Sequence, residues 1–233
     1  MPSLTSFSAL LLNIPWNLIY STVRVLLKGM VVTIEVSIAS LAIGLVLGLI
    51  LGIGRVYGGK IIGTIINYYV LLIRAIPPVL TLFILFFSIT SIIDLPPLLA
   101  GIISLGVASS AYQTEIIRGA LQSVSESQMI AARAIGMSKR SAIWNIILPQ
   151  ALRLAIPPWS NEVALVVKNS SLVYVLGIPE IMREAQYAIA RTFQPLLIFS
   201  IAAIFYYIVV LIANKGLSVL ERKISIPTPE HSL

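Results

Sequence analysis

Cysteine is absent from this chain of 233 residues, and charged residues are scarce. Without cysteine, the chain has no disulfides, no cysteine-bound metals and no thiol chemistry. Charged residues make up 11% of the sequence and hydrophobic residues 58%, and the mean hydropathy is +0.98. A soluble domain of this size could not bury so much apolar surface. The composition therefore predicts an integral membrane protein.

Catalytic and nucleotide-binding motifs are missing as well. A single histidine, His231, and a single aspartate, Asp94, provide no cluster for metal or acid–base chemistry, which makes a membrane-embedded enzyme a poor interpretation. The chain contains no Gly-x-x-x-x-Gly-Lys-Ser/Thr phosphate loop, so any ATP site must belong to another chain. Its 16 Lys and Arg residues are spread singly between apolar runs and form no basic stripe for nucleic acid.

Five apolar runs are long enough to cross a bilayer, and each must be helical because backbone amides in lipid have to be satisfied internally. These runs cover about 30–53, 62–90, 98–117, 151–176 and 195–217. Segment 7–27 precedes them and is predicted to be an interfacial helix with Trp16 and Tyr20 at headgroup depth. The predicted fold class is an all-α integral membrane protein of about five transmembrane helices in one domain, 1–233.

Two runs carry features that predict how they pack. Ser40, Gly44, Gly48 and Gly52 recur every four residues and form a stripe that lets another helix backbone approach closely. In the second run, the pair Pro77-Pro78 removes two backbone donors and disfavours helix at the preceding residue. A kink or a broken helix is therefore expected there.

The distribution of Lys and Arg near the ends of the runs predicts the orientation. Ten lie on one side: Arg55, Lys60, Arg118, Arg133, Lys139, Arg140, Arg153, Lys215, Arg222 and Lys223. The opposite side has four: Arg24, Lys28, Arg183 and Arg191. The bias predicts an external N-terminus and a cytoplasmic C-terminus, in agreement with an odd number of spans.

The connection 118–153 is the longest on the cytoplasmic side, and its sequence predicts helices. The pattern from Ser125 to Gln128 indicates a capping box, Gly136 ends the first helix, and Ser138 caps a second one that Pro149 closes. The first helix suits two roles. It could dock on another protein, with Ala131 and Ala132 in a cleft, or it could rest on lipid headgroups.

A resemblance to a known family favours docking. Ala131-Ala132, Gly136 and Ile146-Ile147-Leu148-Pro149 resemble the signature loop of importer permeases of the ATP-binding-cassette superfamily. The segments 110–124, 149–153 and 168–172 resemble its polar-amino-acid branch, and the similarity covers about 25–220. Two positions depart from the family pattern: Ile130 replaces a Glu, and Arg74-Ala75-Ile76-Pro77 replaces Arg-Gly-Thr-Pro.

The resemblance implies a complex in the bacterial cytoplasmic membrane. Two identical or homologous permease subunits would each dock on a cytoplasmic ATPase subunit that holds ATP and Mg, and an external solute-binding protein would deliver a polar amino acid. Docking would use the coupling loop, about 119–150, with candidate residues Ala131, Ala132, Arg133, Gly136 and Met137. A channel or secondary transporter is the main rival, and it would need no such loop.

Candidate substrate-path residues come from the polar side chains in the apolar runs. They are Tyr112, Glu115, Asn161, Glu162, Lys168, Ser170 and Ser171. An amino-acid zwitterion needs a cation and acceptors, which Lys168, Asn161 and Glu115 would provide. Asn161 and Lys168 share a helical stripe that Glu162 does not. Structural pairing is the alternative interpretation. For Glu35 and Arg74, structural pairing or a position near the membrane interface is favoured.

Overall fold

The computed structural model describes residues 16–224, and every regular element within that range is helical. The elements in chain order are α1 Trp16–Tyr57, α2 Gly59–Ala75, α3 Pro78–Thr90, α4 Pro97–Ser123, α5 Glu126–Ala134, α6 Lys139–Ala142, a π-helical turn Ile143–Ile147, α7 Leu148–Asn169, a 3₁₀ helix Ser170–Leu176, α8 Ile181–Thr192 and α9 Pro195–Ile224. The all-α fold class is confirmed.

Helix α1 is longer than the first predicted span. It has 42 residues, which corresponds to about 63 Å. Residues 16–27 continue into the span without a break, so the prediction of a separate interfacial helix over 7–27 is wrong for them; 7–15 lie outside the described residues. The extension is helical because Leu26 packs on Ile181 and Ala185 of α8 and on Ile198 of α9.

Helices α1 and α4 form the centre of the bundle, and the predicted small-residue stripe lies between them. A Cβ added at Gly48 would come within 2.7 Å of the Gln113 Cβ, and one at Gly52 within 2.6 Å of the Ile117 Cγ2. The Ser40 hydroxyl donates a hydrogen bond of 3.1 Å to the Ile102 carbonyl. The stripe therefore serves close helix packing, as predicted.

The second apolar run is broken where the two prolines stand. Ile76 has an extended backbone (φ −87°, ψ 139°), and Pro78 begins α3. The axes of α2 and α3 differ by 116°. The expected break is confirmed, because neither proline can donate the bond that would continue α2.

Length and composition identify several helices of the described region that could cross a membrane. Two single helices are long and apolar enough to cross, Trp16–Tyr57 and Pro195–Lys223. Two further pairs of helices, each bent at a short break, bring the number to four if each pair counts as one span. The pairs are α2 with α3 and Lys139–Leu176 with α8, the latter bent by 52°. Helix α4 is not among them, but with 27 residues it is about 40 Å long, enough to span.

Buried Glu180 joins three helices at the end of the bundle where α8 begins. Its carboxylate caps α8 by accepting a hydrogen bond of 2.9 Å from the Arg183 amide. It also accepts hydrogen bonds from the Thr33 hydroxyl of α1, at 3.5 Å, and from the Tyr206 hydroxyl of α9. Thr33 and Tyr206 therefore lie at the same level along the bundle.

Candidate coupling loop and central cavity

Helix α5 begins where the sequence predicts. The Ser125 hydroxyl accepts a hydrogen bond of 3.4 Å from the Ser127 amide. Glu126 occupies the first turn, where its negative charge faces the positive end of the helix dipole. This start is a local property of the sequence, because the cap and the first turn involve adjacent residues.

The end of α5 depends on Gly136. This residue has φ +87°, a left-handed conformation that glycine adopts without steric penalty. The Met137 amide donates to the Ala132 carbonyl and the Gly136 amide to the Arg133 carbonyl, both at 3.1 Å. These two bonds are the Schellman arrangement. The predicted helix end at Gly136 is confirmed.

The candidate coupling residues differ in how much surface they present. Ala131, Arg133 and Gly136 are exposed, and Met137 is half-buried. Ala132 is only 2% exposed, so of the two adjacent alanines it is Ala131 that faces outward. The Arg133 guanidinium donates to the Met137 carbonyl at 3.0 Å, which further supports the turn.

Large apolar side chains project from the same helix and from Ile135, the residue that caps its C-terminal end. Ile130 is 69% exposed and Ile135 is 78% exposed. Two exposed isoleucines beside exposed Ala131 give α5 an apolar outer face. Such a face is unusual for a helix in contact with water, and it fits either of the two roles considered for this helix, docking on a protein or resting on a membrane surface.

The second loop helix does not end at Pro149, contrary to the prediction. Helix α6 is capped as expected by Ser138, whose hydroxyl accepts a hydrogen bond of 3.1 Å from the Ser141 amide. It then continues through the π-helical turn into α7, where Pro149 occupies the first turn. A proline can stand there because the π turn has already displaced the regular bonding pattern: the Leu148 amide bonds to the Ile143 carbonyl, five residues back.

A cavity of about 240 Å³ lies where the break between α2 and α3 faces α4 and α7. Most of its wall is apolar. The polar side chains in the wall are Thr81, Ser109, Tyr112, Glu162 and Asn169. Two of the predicted substrate-path residues, Tyr112 and Glu162, therefore share one cavity.

Glu162 is the acidic group of this cavity and is only 4% exposed. The Ser109 hydroxyl donates a hydrogen bond of 2.5 Å to its Oε1 atom. Among residues 16–224 no group donates to its other oxygen, Oε2. One oxygen of the carboxylate is therefore held by the protein, and the other is available to a ligand.

A chain of hydrogen bonds behind Glu162 connects α4 to α7. The Gln113 side-chain amide donates to the Ser109 hydroxyl at 3.1 Å and accepts from the Trp159 indole at 2.9 Å. The sequence analysis did not identify Ser109, Gln113 or the cavity residue Asn169. The sequence does contain a signal for Gln113, which is fully buried. A glutamine in an apolar span, four residues after a serine, indicates that this side of the helix is polar and faces the protein interior.

Arg74 of α2, two residues before the break at Ile76, contacts the cavity residue Tyr112. Its guanidinium carbon lies 5.2 Å from the centre of the Tyr112 ring, a cation–π contact. The guanidinium is exposed. The cavity therefore has a carboxylate in its wall and a cation beside one of its lining residues.

Glu115 lies away from the cavity in an ionic cluster. It forms ion pairs with Arg55 of α1 and, at 2.8 Å, with Arg118 of its own helix. Arg55 also donates to the Asn67 side chain of α2 at 2.5 Å. These contacts tie α1, α2 and α4 together, so the structure places Glu115 in helix pairing.

The remaining candidates do not face the cavity. Asn161 and Lys168 are both exposed on α7. Ser170 is buried and bonds to the Val167 carbonyl at 2.8 Å. Lys168 and Ser171 line a separate groove against α9, together with Tyr206 and Tyr207. Within one chain, Lys168, Asn161 and Glu115 are therefore not brought together.

Residues 44–226 match the family described as binding-protein-dependent transport system inner membrane component. The match covers more than half of the chain. This protein belongs to that family and is a membrane component of a binding-protein-dependent transport system.

Several bacterial permeases are similar over nearly their whole length. The glutamine transport system permease protein GlnP of Escherichia coli (strain K12) is 33% identical over 214 residues, which cover 91% of this chain and 98% of that protein. The L-cystine transport system permease protein TcyB of Bacillus subtilis (strain 168) is 32% identical over 227 residues, covering 96% and 95%. The histidine/lysine/arginine/ornithine transport system permease protein HisQ of Escherichia coli (strain K12) is 29% identical over 221 residues, covering 90% and 97%.

Two solved structures have the same fold. A crystal structure of an amino acid ABC transporter with histidines superposes with a TM-score of 0.79 at 28% identity, covering 88% of this chain and 96% of that one. An inward-facing structure of the MetNI methionine ABC transporter gives a TM-score of 0.78 at 18% identity, covering 87% and 97%. At 18% identity, the similarity to the MetNI structure concerns the fold alone.

Proposed function

We propose that this chain is the membrane-spanning permease subunit of an ATP-binding-cassette importer for polar amino acids. The observation that carries this proposal is the similarity, over nine-tenths of the chain or more, to permeases named for glutamine, for L-cystine and for histidine, lysine, arginine and ornithine. ATP and Mg are bound by a separate ATPase subunit, since this sequence has no phosphate-binding loop.

Helix α5 is the element that couples the permease to the ATPase. Its exposed apolar face, with Ile130, Ala131 and Ile135, would be costly in water and suits an apolar cleft on a partner. The Schellman turn at Gly136 holds that face in one orientation. Movement of the docked helix passes to α7 through α6 and the π turn, because these three elements are continuous.

The assembly has two permease subunits, two ATPase subunits and an external binding protein. Docking on cytoplasmic ATPases requires α5 to lie in the cytoplasm. The basic residues near α5, such as Lys139 and Arg140, agree with that orientation. The N-terminus is then external, the C-terminus cytoplasmic and the location the bacterial cytoplasmic membrane.

The central cavity is part of the substrate path. The free Oε2 atom of Glu162 accepts the ammonium group of an amino acid, and the Arg74 guanidinium beside Tyr112 attracts the carboxylate. The Tyr112 ring, which carries Arg74 on one face, lines the cavity. Both charges of a zwitterion thus find an opposite charge in or beside one cavity.

Reconstitution tests the proposal directly. The permease is purified with its ATPase, placed in proteoliposomes and supplied with the external binding protein, and amino-acid uptake is measured with ATP inside or outside. Uptake that needs ATP on the α5 side supports the proposal. Uptake that persists when the ATPase is removed would identify a channel or secondary transporter instead.

A further inference from the structure

Two polar groups of α7 face the central cavity without a partner in the described chain. One is the Oε2 atom of Glu162. The other is the side-chain amide of half-buried Asn169, which forms no hydrogen bond with any of residues 16–224. The hydroxyls of Ser109 and Thr81 in the same wall are already bonded, to Glu162 Oε1 and to the Pro77 carbonyl. Because a polar group removed from water needs a partner, the Asn169 amide is available to a ligand.

The two free groups lie at different depths of the cavity. Asn169 follows Glu162 by seven residues on α7, which places both on one stripe and about 10 Å apart along the helix. Leu165 and Val166 line the cavity between them. The cavity wall on α7 therefore consists of an acidic position, an apolar stretch and an amide position.

The cation beside the cavity lies at the end away from Asn169. Helices α4 and α7 are antiparallel, because Ser109 bonds to Glu162 while later residues of α4 share an apolar cluster with earlier residues of α7. Tyr112 follows Ser109 by three residues on α4 and is therefore displaced away from Asn169. The Arg74 guanidinium packs on the Tyr112 ring. The order along the cavity is thus cation, carboxylate, apolar wall and amide.

The amide position has no charged group beside it in the cavity wall. Among the described residues that line the cavity, Glu162 is the single charged one. Lys168, the neighbour of Asn169 in the chain, lines a different groove against α9. A ligand charge next to Asn169 would be buried without a counter-charge, and an apolar ligand end would leave the amide unpaired. The position therefore favours an uncharged polar group.

We propose that Asn169 recognises the substrate side chain and selects amino acids whose side chain ends in an uncharged polar group, with L-glutamine as the best fit. This rests on the proposed function, in which Glu162 accepts the ammonium group and Arg74 attracts the carboxylate. The side chain then extends along the apolar wall toward Asn169. In extended L-glutamine about 6 Å separates the ammonium nitrogen from the amide nitrogen. With a hydrogen bond of about 2.9 Å at each end, this length is comparable with the separation of Glu162 and Asn169 along α7.

Direct binding to the purified permease–ATPase complex tests this selectivity. The external binding protein is left out, so that its own selectivity does not enter the measurement. Equilibrium dialysis with radiolabelled L-glutamine gives its Kd, and competition by unlabelled L-glutamate, L-lysine and L-norleucine gives theirs. We expect L-glutamine to bind at least tenfold more tightly than each of the three. L-glutamate is the sharpest comparison, because it has nearly the shape of L-glutamine and adds a charge.

Asn169→Asp should change which amino acid binds best. The substitution keeps the shape of the side chain and replaces the amide with a carboxylate, so L-glutamine should bind at least tenfold more weakly and L-lysine at least tenfold more tightly. A gain of L-lysine binding does not arise from misfolding. Asn161→Asp is the matched control, because Asn161 is exposed on the same helix and is not part of the cavity wall. It should leave the order of the four affinities unchanged.

Two results would overturn this inference and leave the proposed function standing. One is equal affinity of the original complex for L-glutamine and L-lysine, and the other is an unchanged order of affinities in Asn169→Asp. Failure of the proposed function has a different signature. Glu162→Gln should weaken the binding of all four amino acids, since the ammonium group is common to them. A Glu162→Gln complex that binds all four as the original does would remove the proposed substrate path, and the role of Asn169 with it.

Discussion

Gly136→Glu separates the two interpretations of the loop helix α5. Gly136 has φ +87°, and a Cβ added there would meet no atom within 4 Å. The first side-chain atom of the substitution therefore has room, and the position is exposed. Its effect on the isolated permease is limited to the backbone conformation, since the left-handed region disfavours residues other than glycine.

The expected free-energy cost of Gly136→Glu differs between the isolated permease and its complex with the ATPase. A left-handed conformation costs a residue with a Cβ about 1–2 kcal/mol, which is small against the roughly 5–15 kcal/mol that stabilises a typical folded protein. A glutamate at the turn of a docked helix would in addition bury an unpaired charge against the ATPase. That adds at least about 2–3 kcal/mol, so association should weaken about 30-fold or more.

Three quantities are measured on the same membranes: permease level, ATPase co-purification and amino-acid uptake. Gly136→Glu should leave the permease level within twofold of the original and lose most of the ATPase and the uptake. Gly136→Asn is the matched control, because asparagine tolerates the left-handed conformation and adds no charge. Full uptake with a fully retained ATPase in Gly136→Glu would refute docking through α5.

Three further substitutions test the cavity and the packing. Glu162→Gln keeps the hydrogen bond from Ser109 and removes the charge, so uptake should fall at least tenfold while ATPase co-purification is retained; unchanged uptake would exclude Glu162 from the path. Gly48→Leu forces a side chain against Gln113 and should lower the melting temperature by several degrees, at a cost of about 1–3 kcal/mol. Gly119→Leu is the control and should not lower it, because a Cβ added at Gly119 would meet no atom within 4 Å. Glu180→Ala removes the acceptor for Tyr206 and the cap of α8, and the free energy of unfolding should fall by about 3 kcal/mol. A variant that melts at the same temperature as the original protein would contradict the role of Glu180 in joining the helices.

The sequence by itself determined those features that depend on neighbouring residues. Proline chemistry predicted the break at Pro77-Pro78, because a missing donor acts within its own turn. Ser125 and Gly136 predicted both ends of α5 for the same reason, since caps are bonds across two to five residues. The stripe with Gly48 and Gly52 indicated close packing, because four-residue spacing places small residues on one side of a helix.

Only the tertiary structure decided which helix each side chain meets. Glu115 was predicted in the substrate path, but Arg55, sixty residues earlier in the chain, pairs with it. Ser109 and Glu162 come together across two helices. Helical periodicity predicts the face on which a residue lies and contains no information on the neighbour of that face.

Contacts between distant segments also explain why some helix boundaries differ from the predicted ones. Residues 16–27 continue α1 because Leu26 packs on α8 and α9, which follow it by more than 150 residues. Pro149 continues a helix because a π turn precedes it, and Ala132 is turned toward its own chain while Ala131 faces outward. Packing between distant segments supplies the free energy that decides these outcomes, and that free energy exists only once the helices have assembled.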